Sequence, residues 1–256
     1  MWSSDVQELL ARIAVGQEEA LGDGLIGRYL FGSLATGDFE PDVSDVDTVA
    51  VLRGDPSAGE LAALAAFHRG LIEEMPAWHD RVEAVYVSVR ALATFRKGAS
   101  PAARISPGEP FHAIRVDRRW LIDWYQLRAG GMTLSGPPAS SLVPPIPHRE
   151  YVDAVREHIL GWPELGEDAG PGEQSYAVLS MCRGLRTCHT GDPGSKREAA
   201  RWACEVLPHD ARLIGAALQW RVEARATPTA EGSRTVAATR RFIAEVQGLV
   251  AAGTLG

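Results

Sequence analysis

The sequence predicts an α+β protein in two parts, a small mixed sheet with flanking helices followed by a C-terminal helical bundle. Three observations carry this. The apolar runs Leu25–Phe31 and Val46–Leu52 and the alternating stretch 81–89 have the length and composition of strands. The proline-rich stretch from Gly136-Pro137-Pro138 to Pro147 is rigid and extended, which sets a boundary between 1–147 and 148–256. Beyond it, apolar residues recur at helical spacing as far as residue 251.

The elements follow in chain order. Residues 4–20 place Val6, Leu9, Leu10, Ile13 and Val15 close to helical period, and Gly22-Asp23-Gly24 stops that helix. After the two apolar strands comes a turn at Gly54-Asp55-Pro56-Ser57. A helix over 60–75 follows, its stripe made of Leu61, Leu64, Phe67 and Leu71, and Pro76 closes it. In 81–89, Val82, Ala84, Tyr86 and Ser88 face one way and Glu83, Val85, Val87 and Val89 the other, so Glu83 shares a face with valines. Residues 97–110 carry glycines and prolines and read as an irregular connection, while 120–127 is compatible with either helix or strand. In the second half, helices are expected over 149–160, 174–189, 195–207, 210–224 and 235–251. Ser195-Lys196-Arg197-Glu198 forms a capping box at the start of the third.

Composition bounds the function. The chain has 256 residues, 45% hydrophobic and 23% charged, as expected of a soluble globular protein with room for two cores. No eighteen-residue apolar run is present, so no membrane span is expected. The start, Met1-Trp2-Ser3-Ser4, lacks a secretion signal, and a cytoplasmic location is expected. Cys182, Cys188 and Cys204 have neither zinc spacing nor the even count of a disulfide framework. His79, His112, His148 and His189 share no spacing. The net charge of −7 and the lack of a basic stretch disfavour a nucleic-acid partner and suit a cationic small molecule.

The chemistry concentrates between the first two strands. Gly32-Ser33 forms a turn, and eleven residues later Ser44-Asp45-Val46-Asp47 opens the second strand. Strand periodicity puts Asp45 and Asp47 on one face with Val46 turned into the core. Two carboxylates held that close repel unless a cation lies between them, and an all-oxygen set suits Mg²⁺ shared with substrate phosphates.

The segment from Tyr29-Leu30-Phe31-Gly32-Ser33 to Asp45-Val46-Asp47 resembles the signature of the polymerase-β-like nucleotidyltransferase superfamily. The second half sharpens the likeness. Leu179-Ser180-Met181-Cys182-Arg183, Thr190-Gly191, Lys196 and the run from Arg201-Trp202 to Leu207-Pro208 are similar to the aminoglycoside adenylyltransferases that modify streptomycin and spectinomycin. The resemblance implies a nucleotidyltransferase domain over 1–147 and a helical domain over 148–256 closing the substrate cleft. It implies that Asp45 and Asp47 hold Mg²⁺, as a pair of ions, that ATP is the co-substrate, and that Gly32, Ser33 and Ser44 contact its phosphates. Glu83 matches the general base and lies at the acceptor, with the role of third metal ligand left open. Arg183 and Lys196 match basic residues that reach the triphosphate, and Phe111 and Glu173 fall on the acceptor side.

The pattern also departs from the family. The streptomycin-modifying branch has a tryptophan after a Gly-Glu pair, where this chain has Gly108-Glu109-Pro110-Phe111. A tyrosine near the last helix, linked in the family to the nucleotide, corresponds to Glu245. The expected reaction is therefore transfer of AMP to a hydroxyl of an aminoglycoside or aminocyclitol, spectinomycin-like rather than streptomycin, with release of pyrophosphate. The alternatives are a lincosamide, protein or RNA acceptor, or a non-catalytic regulatory module of the same fold.

Overall fold

The structure, a computed structural model, describes residues 2–41, 43–223 and 232–253. Two compact units divide it: Met1–Phe39 with Ser44–Ile146, and Glu40–Val43 with Pro147–Gly256.

The first unit runs α1 (Ser4–Leu21), β1 (Leu25–Phe31), α2 (Gly32–Thr36), β2 (Val46–Leu52), α3 (Ala58–Glu74) and β3 (Val82–Ser88). It continues through α4 (Val89–Thr94), β4 (Ser100–Ser106), β5 (Glu109–Val116), α5 (Leu121–Gly130), β6 (Met132–Ser135) and α6 (Ala139–Leu142). The sheet order is β5-β4-β3-β2-β1-β6, with β2 and β3 parallel and every other neighbouring pair antiparallel. Alternation divides the strands between two faces. Leu30, Val46, Ala50, Leu52, Val82, Ala84 and Tyr86 join Leu9, Leu10 and Ile13 of α1 and Leu64 and Leu71 of α3 in one core. Tyr29, Val49, Val51, Val85 and Val87 point to the other face and are equally buried. Ser57 and Glu60 close a reciprocal capping box at the start of α3, which satisfies amides the helix cannot pair itself.

Three expectations need correction or completion. The stretch 97–110 is no irregular connection: most of it belongs to the β4–β5 hairpin, turned at Pro107-Gly108, where Gly108 adopts φ +77°. Ser100-Pro101-Ala102-Ala103-Arg104 lacks β-branched residues, and its pairing is imposed by β3 rather than by propensity. The undecided stretch 120–127 is helical, with Leu121, Trp124 and Leu127 buried at spacing 3, 3. The short strand β6 went unread; its residues are mostly exposed and it pairs only with β1.

The second unit contains α7 (His148–Leu160), α8 (Pro171–Thr190), α9 (Lys196–Val206), α10 (Ala211–Glu223) and α11 (Gly232–Ala252). The residue at which the fourth helix was expected to end, Ala224, lies outside the described residues. Helix α8 contacts each of the other four and buries ten residues, Met181 and Cys182 among them. Its buried Gln174 accepts from the Thr235 and Thr239 hydroxyls at 2.8 and 2.9 Å and donates to the Ala169 carbonyl at 2.8 Å. The box at Ser195 and Glu198 caps α9 as the sequence predicts. Among the described residues, no helix is long and apolar enough to cross a membrane.

A polar chain crosses the core of the first unit. The Gln17 amide donates to the Tyr86 hydroxyl at 3.3 Å, and that hydroxyl is 2.7 Å from His68 Nε2. Burial pushes the His68 pKa down from 6.5 to about 4. Its neutral ring therefore stabilises the fold fully above pH 6.5, and stability is lost as pH falls from 6.5 towards 4, because the unfolded chain takes up the proton first. Chemical denaturation at pH 7 and pH 4 should show the wild type losing up to about 3 kcal/mol more than His68→Gln. Equal losses would assign the acid sensitivity to other groups.

Candidate active site

The site begins with a register. Phe31 pairs with Asp47 across the antiparallel β1–β2 ladder, and Asp47 pairs with Glu83 across the parallel β2–β3 ladder. Directly paired residues on adjacent strands share a face, with the strands about 4.8 Å apart. Asp47 and Glu83 therefore stand side by side on the face away from α1 and α3. Asp45 immediately precedes β2, and Val46 between the two aspartates is fully buried in the core.

Gly32 fixes the other side of Asp47. It follows Phe31 directly, adopts φ +65°, and a Cβ built on it would lie 2.0 Å from Asp47 Oδ2. Any side chain would therefore be both conformationally strained and in collision with the carboxylate. Ser33 follows in the first turn of α2, and Gly37 at φ +79° ends that helix. Ser44 is buried, and its carbonyl accepts from the Arg81 guanidinium at 3.0 Å while Arg81 lies over the Trp78 ring at 4.5 Å. The approach to β2 is thus anchored one residue ahead of the acidic pair.

Beyond Glu83 the structure adds two residues that the sequence reading missed. Arg104 of β4 brings Nε to 3.6 Å from Glu83 Oε1, and its guanidinium carbon lies 5.8 Å from the Trp120 ring centre. Trp120 stacks on Trp124 with centroids 5.5 Å apart. Between these tryptophans in sequence is Asp123, whose pKa is raised to about 7. Loss of solvent is the larger cause, the Glu83 charge the next, and Arg104 pulls it back down. Arg104 was hidden because its segment read as a loop, and Asp123 because its segment could not be assigned. The signal available for Asp123 was an aspartate inside the apolar run Trp120-Leu121-Ile122-Asp123-Trp124.

Phe111 separates from this group, and Glu173, Arg183 and Lys196 belong to the second unit. Phe111 lies on the opposite face of the sheet, stacked on His68 at 5.5 Å and edge-on to Tyr86 at 5.8 Å. Alternation along β5 sends its side chain to the α3 side, so the structure does not bring it to the carboxylates. A groove of about 270 Å³ lined by His68, Trp78, Ile105 and Glu109 is on that opposite side too. In the helical unit, Glu173 accepts from the Gly170 amide at 2.9 Å and so helps start α8. Arg183 is half-buried on α8, and its Nε is sealed from solvent with no hydrogen-bond partner among the described residues. Lys196 opens α9, its Nζ 5.9 Å from the Tyr176 ring centre.

An acidic pair with oxygen donors alone, a third carboxylate in register beside it and a bare α-carbon against one ligand oxygen fit a hard divalent cation. Known proteins resemble both parts of the chain. The family model for a nucleotidyltransferase domain matches residues 19–106, and that for the C-terminal domain of aminoglycoside adenylyltransferase matches 141–245. A spectinomycin 9-adenylyltransferase of Staphylococcus aureus is 32% identical over 205 residues, covering 75% of this chain and 76% of that protein. An aminoglycoside (3'') (9) adenylyltransferase of Escherichia coli is 25% identical over 223 residues, 80% of either chain. In fold, the chain is similar to the crystal structure of spectinomycin adenyltransferase AAD(9) from Enterococcus faecialis with ATP and spectinomycin. The TM-score is 0.74 at 16% identity, covering 96% of this chain and 99% of that one. With a relative this similar over three quarters of both chains, the chain belongs to the aminoglycoside/spectinomycin adenylyltransferase family, within the polymerase-β-like nucleotidyltransferase superfamily.

Proposed function

We propose that this nucleotidyltransferase moves AMP from Mg·ATP to a hydroxyl of spectinomycin or a closely related aminocyclitol, releasing pyrophosphate. The observation that carries the reading is the pairing of Asp47 with Glu83 on one face, with Asp45 two residues ahead in sequence and Gly32 held bare against Asp47. Asp45 and Asp47 would hold the Mg²⁺, which when bound neutralises phosphate charge and eases departure of pyrophosphate. Gly32, Ser33 and Ser44 stand beside that pair and would line the phosphates. Glu83 takes the proton of the acceptor hydroxyl at a carboxylate oxygen as the O–P bond forms. Arg104 holds that carboxylate in place, and Asp123 supplies further negative charge for a cationic acceptor. Arg183 and Lys196 would contribute positive charge to the triphosphate, as the likeness of their motifs to the family implies. The missing tryptophan after Gly108-Glu109 favours spectinomycin over streptomycin. Free thiols at Cys182, Cys188 and Cys204 and the need for ATP fit a cytoplasmic setting.

Incubation with Mg·ATP and either spectinomycin or streptomycin, followed by mass spectrometry, tests this directly. Spectinomycin should gain one AMP. Modification of streptomycin alone would overturn the acceptor, and transfer to neither would overturn the reaction.

Two substitutions separate the roles. Asp47→Asn keeps the shape and removes a ligand charge, so kcat/KM should fall by about 10³ or more with thermal stability retained. A comparable loss of folding, or near-full activity, would refute the metal assignment. Glu83→Gln should lower kcat by about 10²–10⁴ while ATP affinity changes little. Loss of ATP binding as severe as in Asp47→Asn would make Glu83 a metal ligand instead.

A further inference from the structure

The helical unit gathers a second group of ligating atoms. His209 and Asp210 lie in the 3₁₀ turn Pro208–Asp210 ahead of α10, and Glu245 projects from α11. One ligand atom from each lies within 4.8 Å of the other two. His209 Nε2 is 2.8 Å from Glu245 Oε1 and 3.4 Å from Asp210 Oδ2. Asp210 Oδ2 is sealed from solvent and, that ring nitrogen aside, has no hydrogen-bond partner among the described residues. The Glu245 charge bears on Asp210 from across the gap, and both carboxylates converge on the one imidazole.

We propose that His209, Asp210 and Glu245 form a binding site for a borderline divalent cation of the zinc class. The donor set is one imidazole nitrogen and two carboxylate oxygens. Zinc takes it with bonds of about 2.0–2.2 Å and completes four-coordination with water. In a tetrahedron of such bonds, the ligand atoms stand roughly 3.3–3.5 Å apart. The observed 2.8 and 3.4 Å therefore need only a small opening at the exposed His209 ring. A nitrogen donor selects against Mg²⁺ and Ca²⁺, which separates this site from the all-oxygen pair at Asp45 and Asp47. The ligands come from two elements about 35 positions apart in sequence, so a bound ion would clip the start of α10 to α11. The inference is independent of the acceptor and of the transfer chemistry.

The test uses the full chain carrying Asp45→Asn and Asp47→Asn, which removes the catalytic cation ligands, after treatment with chelator. Zn²⁺ titrated by calorimetry should bind at one site with a dissociation constant in the micromolar range or tighter, and should raise the melting temperature. Co²⁺ in its place should give visible absorption of a nitrogen–oxygen site. Adding His209→Ala or Glu245→Gln should weaken Zn²⁺ by at least about tenfold and abolish the thermal shift. Adding Cys204→Ser should change neither, although its thiol lies 3.9 Å from the carbonyl of Ala211, next to Asp210. Failure to bind Zn²⁺ at millimolar concentration would make the cluster an ion pair bridged by protonated His209 and overturn the proposal. Equal affinity in the His209 and Glu245 variants, or loss of binding with Cys204→Ser, would overturn the ligand set.

Discussion

The first unit depends on holding Asp47 in a slot that has no slack. On one side the register sets Glu83 directly beside it, and on the other Gly32 leaves no room for even a methyl group. Carboxylates about 5 Å apart repel by roughly 3 kcal/mol at an effective dielectric constant of 20. The Arg104 guanidinium, with Nε 3.6 Å from Glu83 Oε1, offsets part of that cost locally, and the rest of the sheet holds the pair in register. Val46 and Val82, one residue before Asp47 and Glu83 on the same strands, are buried in the core with α1 and α3. A one-residue slip of β2 would put Asp47 into that core and a valine at the site, so the apolar face enforces the polar one. Polarity on the site face is also confined to the strand starts, since Val49, Val51, Val85 and Val87 further along are sealed.

That coupling explains which parts could be read from sequence. The pairing of Asp47 with Glu83 was legible because each lies in a strand whose alternation is unambiguous, with β-branched neighbours marking the core face, whereas Asp45 precedes its strand. The helical unit was legible because its signals are local, the Ser195–Glu198 box acting within one turn, although α8 starts at Pro171 rather than at 174 as expected. Arg104 and Asp123 were not legible, for different reasons. The strand carrying Arg104 is an alanine-rich segment made a strand by its neighbours on both sides. The helix carrying Asp123 is apolar on too many sides for periodicity to show which way the aspartate points. Phe111 illustrates the reverse error. Its position after Gly108-Glu109 suggested the acceptor, but once β5 exists, its alternation sends that ring to His68 and Tyr86 on the far face.

Crowded carboxylates recur in the molecule, and the chain meets their cost in different ways. At Asp45 and Asp47 the donors are all oxygen and stand beside backbone left bare at Gly32, an arrangement that fits a hard cation. At Asp123 a proton does the work: loss of solvent and the Glu83 charge raise its pKa to about 7, so a modest change of surroundings switches its charge. Filling the site with a cationic acceptor is such a change, because a positive charge close by draws the proton off and gains a carboxylate in return. Asp123 would then offer weak attraction to a neutral molecule and strong attraction to a cation, a preference that Glu83 alone, already paired with Arg104, is less able to supply. The acidic balance of the whole chain attracts cations from a distance, whereas this proton-buffered carboxylate acts only on one that has arrived.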